Sequence, residues 1–315
     1  MRGTLAELGE FGLIERITQD LVTGPQVVLG PGDDAAVVSV DGGVVVSTDA
    51  MNENVHFRTD WVAGEDVGHR CIGRALADIE AMGATPTAVV IALSTPETTT
   101  IRWIERFTQG VMEECETAHV SLVGGDVSRA EMISVAVTAI GQTGGRAVIT
   151  RSGAQIGDTV ALKGRLGWAA AGLAVLSRGF RSPRAVVSAY QRPRISYGAG
   201  VEAGRHQATS MIDVSDGLIA DLRHIATASG VLINIETNQL PLPEPLQTLG
   251  HATGKDPLEL VLTGGEDHGF VATFPEGRCP RTWQPIGQVL ALDGSDPGVL
   301  VDGKEWLKSP GWTHF

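Results

Sequence analysis

Cysteine is scarce in this chain and follows no pattern: Cys71, Cys115 and Cys279 are odd in number, widely spaced and form no CxxC. They read as reduced, buried thiols of a cytoplasmic protein rather than as a disulfide framework. No apolar run is long enough to cross a membrane, and no basic-then-apolar pattern marks a secretory leader. Positive charge is in deficit, with 24 Lys and Arg against 37 Asp and Glu and a net charge of −13. That balance argues against nucleic acid or an anionic membrane surface as a partner. An acidic chain that handles phosphates must then bring metal ions or local Arg and Lys. Low-complexity tracts and internal repeats are absent, and the 40 glycines fall in short turns, which excludes collagen and flexible linkers. Missing too are GxxxxGK[ST] and the Gly-rich loop of protein kinases, so the two commonest ATP folds are excluded.

What is present is an unusual set of acids. Gly30-Pro31-Gly32 marks a tight turn, the β-branched runs on either side of it read as a hairpin-like pair, and Val44 to Asp49 follows as a further strand. Asp33, Asp34 and Asp49 are expected at strand ends near one sheet edge, with the Ser47 and Thr48 hydroxyls beside them. Two ionised carboxylates about 4 Å apart repel by roughly 4 kcal/mol at an effective dielectric near 20, so the group needs a counter-charge. Its donors are hard oxygens without Cys or His, which points to Mg²⁺ rather than zinc. Solvated turn aspartates are the alternative.

The 315 residues suffice for two α/β domains. Leu5, Leu8, Phe11, Ile14, Ile17 and Leu21 predict an opening amphipathic helix. A second helix is predicted from about Glu65 to Met82, with Asp78 inside or at the border of its apolar stripe. There it would bind a metal, meet a buried partner or pair with an Arg, because an unpaired buried carboxylate is costly. Ala88 to Leu93 reads as a buried strand, and Ile101 to Cys115 as a helix. Val120 to Val123 reads as a strand ending at Gly124-Gly125-Asp126, where two glycines would let the backbone approach a ligand. Ile133 to Ile140 closes a first domain, and Thr150 to Asp158 is a turn-rich junction, giving domains 1–146 and 147–315.

Beyond the junction, strands are expected at Thr159–Leu162, Val231–Ile235 and Gly269–Phe274 and a helix at Gly167–Leu176, while Met211 to Leu218 reads as strand, acidic turn and then a helix to about Ser229. Arg184 to Arg194 is a basic segment whose Arg192-Pro193-Arg194 reads as a solvated loop, with a phosphate contact as the alternative. Ser215 and Asp216 precede a helix, where they serve either as caps or as ligands. Val301-Asp302-Gly303-Lys304 is a hairpin turn, and the aromatic tail from Gly311 is expected to fold back over a site. Asp34, Asp49, Asp78, Asp126, Asp213 and Asp216 thus come from separate places, mostly strand ends or helix starts, where α/β folds gather ligands. Several carboxylates holding several Mg²⁺ ions suit a nucleoside triphosphate bound through its phosphates.

Leu8-Gly9-Glu10-Phe11-Gly12, Gly32-Asp33-Asp34-Ala35-Ala36, Ser47-Thr48-Asp49, Val55-His56-Phe57, Asp78 to Gly83, Gly124-Gly125-Asp126, Arg151-Ser152-Gly153-Ala154, Ile212 to Leu218 and Gly264 to Asp267 occur in that order. The series resembles the thiamine-monophosphate kinase family, related to aminoimidazole ribonucleotide synthetase and selenophosphate synthetase, across essentially the whole chain. The resemblance implies a two-domain α/β (α+β) aminoimidazole ribonucleotide synthetase-like fold. Its amino-terminal domain would bind Mg²⁺ and ATP and dimerise by joining its sheet to a partner's, and its carboxy-terminal domain would complete the cleft. It implies transfer of a phosphoryl group from ATP to thiamine monophosphate.

By the same resemblance, Asp34, Ser47, Thr48, Asp49, Asp78, Asp126, Asp213 and Asp216 are expected as metal ligands. Gly125, Asp126, Arg151 and Ser215 are expected as ATP contacts, with Arg151 stabilising charge, and His56, Glu266 and Trp312 as substrate contacts. The family's Gly-Gly-Glu-Asp-Tyr-Glu-Leu is here Gly264-Gly265-Glu266-Asp267-His268-Gly269-Phe270, and its Asn-Leu-Ser-Asp is Ala75-Leu76-Ala77-Asp78. A phosphate monoester has a second pKa near 6, so the acceptor is largely a dianion at neutral pH and needs no general base. Another ATP-dependent synthetase of the superfamily and a non-catalytic Mg·ATP sensor are the competing readings.

Overall fold

A computed structural model of the chain describes residues 15, 17–19, 21–31, 35–254, 256–292 and 294–312. The opening helix lies outside the described residues except at Glu15 and Ile17 to Gln19, and so do Asp33 and Asp34. The described residues fall into two compact units, Met1–Ile79 with Ala84–Arg146, and Glu80–Gly83 with Ala147–Phe315.

In the first unit β1 (Val27–Leu29) and β2 (Val37–Val38) pair antiparallel around the Gly30-Pro31 turn. The following strand, β3 (Val44–Asn52), leaves this pair and joins another sheet. After it come α1 (Gly64–Ala81), β4 (Thr85–Thr95), α2 (Ile101–Ala118), β5 (Ser121–Arg129) and β6 (Ser134–Gln142). These strands form a four-stranded sheet in the order β3-β6-β4-β5, in which only β4 and β5 run parallel. Alternation gives the sheet two distinct faces. Met51, Val135, Val137 and Ala139 are buried on one, against which α1 lays Ile72, Ala75, Leu76 and Ile79. The other face of β3, carrying Val44, Val46, Thr48 and Ala50, is exposed. Helices α1 and α2 meet through glycine: a Cβ on Gly110 would lie 1.9 Å from the Glu65 carbonyl oxygen. Such backbone contact leaves no room for any side chain.

Two strand ends differ from expectation. Asp49 sits within β3, and Asp126 within β5, which runs on through Gly124 and Gly125 to Arg129. The reason is visible at Gly125, where a Cβ would lie 2.2 Å from the Ile91 carbonyl oxygen. That glycine admits the neighbouring strand, while nothing lies within 4 Å of a Cβ placed on Gly124.

The second unit contains β7 (Thr159–Lys163), α3 (Trp168–Leu176), α4 (Arg184–Gln191), α5 (Ala199–Arg205), β8 (Ser210–Val214), α6 (Leu218–Ser229) and β9 (Leu232–Ile235). It continues with α7 (Glu244–Thr253), α8 (Pro257–Thr263), β10 (Gly269–Phe274), β11 (Gln284–Leu290), β12 (Gly298–Val301) and β13 (Lys304–Glu305). Seven strands order as β13-β12-β9-β11-β7-β10-β8. The basic segment is in large part helix, because Val186, Val187, Ala189 and Tyr190 bury one face of α4. The hairpin at 301–304 turns through Asp302 and Gly303, both at positive φ, as a two-residue loop requires. Glu80 caps α5: its carboxylate accepts the Gly198 and Gly200 N–H groups at 2.8 and 3.0 Å.

Candidate functional site

In the first unit β3 presents Ser47 and Asp49 to the face covered by α1. Ser47 Oγ donates to Asp78 Oδ2 at 2.5 Å. Arg74, four residues before Asp78 on the same helix, grips Asp49 with Nε at 2.7 Å from Oδ2 and Nη2 at 3.1 Å from Oδ1. Arg74 thus binds Asp49, whose oxygens each keep one lone-pair direction for a further ligand. Asp78 is half-buried at the stripe edge, as its spacing predicts.

Thr48, between Ser47 and Asp49, necessarily points to the opposite face, where its hydroxyl is 3.2 Å from that of Thr138. Asp126 is also on that open face, in register with Ala92. Thr48 and Asp126 stand on opposite edge strands of a four-stranded sheet, about 14 Å apart at the usual strand spacing. Beside β5 lies a cavity of about 610 Å³, lined among others by Phe107, Thr108, Val111, Gly124, Gly125 and Asp126. Its size and largely apolar wall suit a heterocyclic base. His56 Nδ1 accepts the Asn52 N–H at 3.0 Å, which puts the proton of the neutral ring on Nε2.

The second unit brings five of the expected residues together. Asp213 is the last residue but one of β8, and Ser215 and Asp216 form the turn into α6. Glu266 N–H donates to the Ser215 carbonyl at 2.8 Å, and Trp312 N–H to the Asp216 carbonyl at 3.0 Å. A Cβ on Gly311 would lie 2.4 Å from that same Asp216 oxygen, so the tail is laid tightly against the turn. Trp312 is 59% exposed; residues 313–315 lie outside the described set. Neither Ser215 nor Asp216 caps α6 with its side chain. Asp221, in the first turn, does so instead, with Oδ2 accepting the Asp216 and Gly217 N–H groups, both at 3.0 Å. The two expected ligands are thus left with their carboxylate and hydroxyl oxygens available for other work.

Charge at this turn is crowded. Burial first, and then the Asp213 and Asp216 carboxylates, push the Asp221 carboxyl up to about 7. An all-oxygen, over-anionic group of this kind is chemically suited to Mg²⁺. Asp213 is buried, with Oδ2 3.1 Å from His268 Nδ1. Asp267, also buried, accepts the Ala169 N–H at the start of α3 at 2.8 Å, and burial pushes its carboxyl up to about 7.

Arg151 is not part of this gathering: its carbonyl accepts Ser229 Oγ at 3.3 Å, at the carboxy-terminal end of α6. A helix of 12 residues is about 18 Å long, which separates the Arg151 backbone from Asp216. The sequence reading missed Asp221, Arg74, Asp267 and His268. An acid in the first turn of a helix is a recognisable signal for the first, and the (i, i+4) spacing to Asp78 for the second; the last two lie in the Gly264–Phe270 motif, where nothing local announces their partners.

A separate cluster on α1 and α2 joins His69 to Glu113 and Glu114, each at 2.9 Å, and Glu65 to Arg106. It links the two helices to each other, with Glu65 buried and the His69 and Glu114 side chains mostly so. Among the described residues no helix is long and apolar enough to cross a membrane.

The two-unit fold and its acidic turns define a class. Residues 32–143 match the model of the AIR synthase related protein N-terminal domain, and residues 155–291 that of the C-terminal domain. A Mycobacterium tuberculosis thiamine-monophosphate kinase is 44% identical over 314 residues, covering 99% of this chain and 93% of that protein. The solved thiamine-monophosphate kinase of Stenotrophomonas maltophilia superposes with a TM-score of 0.82 at 32% identity, covering 94% of this chain and 97% of the other. A structure described as AaThiL complexed with AMPPCP and TMP gives a TM-score of 0.79 at 34% identity, with 99% of both chains covered. The chain belongs to the thiamine-monophosphate kinase family.

Proposed function

We infer that this chain phosphorylates thiamine monophosphate to thiamine diphosphate, using ATP as donor. The reading is carried by the convergence of Asp213, Ser215, Asp216, Glu266 and Trp312 at one turn of the second unit. Full-length relatedness to thiamine-monophosphate kinases supports it, as does a related chain whose described complex holds AMPPCP and TMP. In this reading the cavity beside Asp126 takes the adenine base, with Gly125 offering backbone close by. Mg²⁺ ions would be held at separate places: by Ser47, Asp49 and Asp78 on the α1 side of the first sheet, by Thr48 and by Asp126 on its open face, and by Asp213 and Asp216 in the second unit, with Asp34 as a further ligand. Bound Mg²⁺ supplies charge neutralisation and Lewis-acid polarisation of the triphosphate.

The residues of the chain do the rest by orientation. Glu266 and His56 would fix the acceptor. The exposed Trp312 ring would lie against the cationic thiazolium or the pyrimidine. Arg151 would contact the triphosphate from elsewhere than the Asp216 turn. Because the acceptor oxygen is already anionic, no side chain need remove a proton, and in-line transfer demands only alignment and charge screening. Residues 1–146 would form the Mg·ATP and dimerisation domain, and 147–315 the domain completing the site. A homodimer is supported by the exposed aliphatic face of edge strand β3, where Val44 and Val46 are 54% and 60% exposed. Free Cys71, Cys115 and Cys279 support a cytoplasmic setting.

The test is a coupled assay of ADP release. ADP should form only when Mg²⁺, ATP and thiamine monophosphate are all supplied. Equal ADP release without the acceptor would overturn the kinase reading, and so would activity with aminoimidazole precursors alone.

A further inference from the structure

His268 is buried, and its ring is aimed at a carboxylate that the proposed function uses. It is 2% exposed and Asp213 is 6% exposed, with Nδ1 and Oδ2 3.1 Å apart. A buried imidazole needs a hydrogen-bond partner, and an aromatic hydrocarbon would fill the same space without one. The backbone reinforces the aim. His268 stands at φ 49° and Glu266 at φ 68°, in the left-handed region that β-carbon-bearing residues avoid. That conformation is held by neighbours on two sides. His268 N–H donates to the Val214 carbonyl at 3.0 Å, and Glu266 N–H to the Ser215 carbonyl at 2.8 Å. Asp267, between them, takes the Ala169 N–H of α3 at 2.8 Å. The ring is therefore delivered to Asp213 by a loop with little freedom to shift.

We propose that His268 is a positioning residue: its Nδ1–H holds Oδ2 of Asp213, stops rotation of the carboxylate and leaves Oδ1 for a divalent cation. The inference rests on the reading of Asp213 as a metal ligand. Partners of this kind, bonded to a ligand rather than to the metal, change metal affinity by about 10–100-fold when removed.

Mn²⁺ is the probe, titrated into the full-length chain without nucleotide, with free Mn²⁺ read by electron paramagnetic resonance. Wild type is compared with H268F, H268N, H268Q and D213N, and each variant is checked by thermal melting. H268F, which keeps the bulk but not the donor, is expected to weaken Mn²⁺ binding about 10-fold or more. H268N places an amide donor near the Nδ1 position and should stay within about 3-fold of wild type. H268Q carries its donor one bond further and should behave like H268F, so the Asn–Gln contrast decides even if H268F does not fold. In the D213N background H268F should add nothing further.

The proposal is overturned if H268F binds Mn²⁺ as wild type does, if Asn and Gln behave alike, or if H268F and D213N add independently. Should D213N itself bind Mn²⁺ as tightly as wild type, the metal reading of Asp213 falls and takes the inference with it. Should D213N weaken binding while H268F does not, only the inference falls.

Discussion

At the scale of single residues the second unit tolerates carboxylates that burial makes costly. The Asp267 carboxyl is pushed up to about 7, chiefly by desolvation, even though it accepts a backbone N–H from the start of α3. A carboxyl raised in the folded state binds protons there that the unfolded chain has already lost. Its favourable contribution is fully present below the ordinary carboxylate pKa and is lost as pH rises through about 7. Over that window the loss is on the order of a few kcal/mol. Urea midpoints should therefore fall between pH 5 and pH 8 in the wild type, and fall less in Asp267→Asn, which keeps an oxygen for Ala169 N–H. An unchanged pH slope in that variant would show that Asp267 does not titrate in this window. Much at this scale was legible beforehand: Asp213 and Asp216 announce themselves beside a strand end and a helix start. Asp267 and His268 do not, since what they do depends on which distant elements, α3 and β8, the fold brings to them.

At the scale of elements the instructive pair is Gly124-Gly125. As a sequence it marks backbone approaching a ligand, but the two glycines have different jobs. A Cβ at Gly125 would meet the Ile91 carbonyl at 2.2 Å, whereas nothing lies within 4 Å of one at Gly124. Gly125→Ala should cost about 2–3 kcal/mol, the usual penalty of forcing atoms into a packed contact. Gly124→Ala should keep wild-type stability and instead raise the KM for ATP, since Gly124 lines the cavity beside Asp126. Thermal melts and ATP saturation curves of the two variants check this directly. Equal destabilisation would contradict the assignment. The strands and long helices were legible from periodicity. Two features were not: the continuation of β5 past its glycines depends on pairing with β4, and the amphipathic face of α4 lay inside a segment read for its charge.

At the scale of the whole molecule, the ordered motifs carried the fold because they span the chain, and the full-length relatives agree with them. Alternation along the strand expected over Val44 to Asp49 already puts Thr48 on the face away from Ser47 and Asp49, which the motif Ser47-Thr48-Asp49 taken as one unit hides. That open face bears on assembly. If a second copy covers Val44 and Val46, Val46→Asp should halve the mass seen by sedimentation at micromolar concentration, and an unchanged mass would remove this face from the interface. In this reading the acids of the chain serve transfer of the terminal phosphoryl group of ATP to a phosphate acceptor. Phosphorus NMR of a reaction with ATP, thiamine monophosphate and Mg²⁺ tests it most directly. The γ-phosphate signal should be lost in step with the gain of a thiamine diphosphate pair, one for one, and chelating Mg²⁺ should stop both. Release of inorganic phosphate, with thiamine monophosphate unchanged, would contradict it.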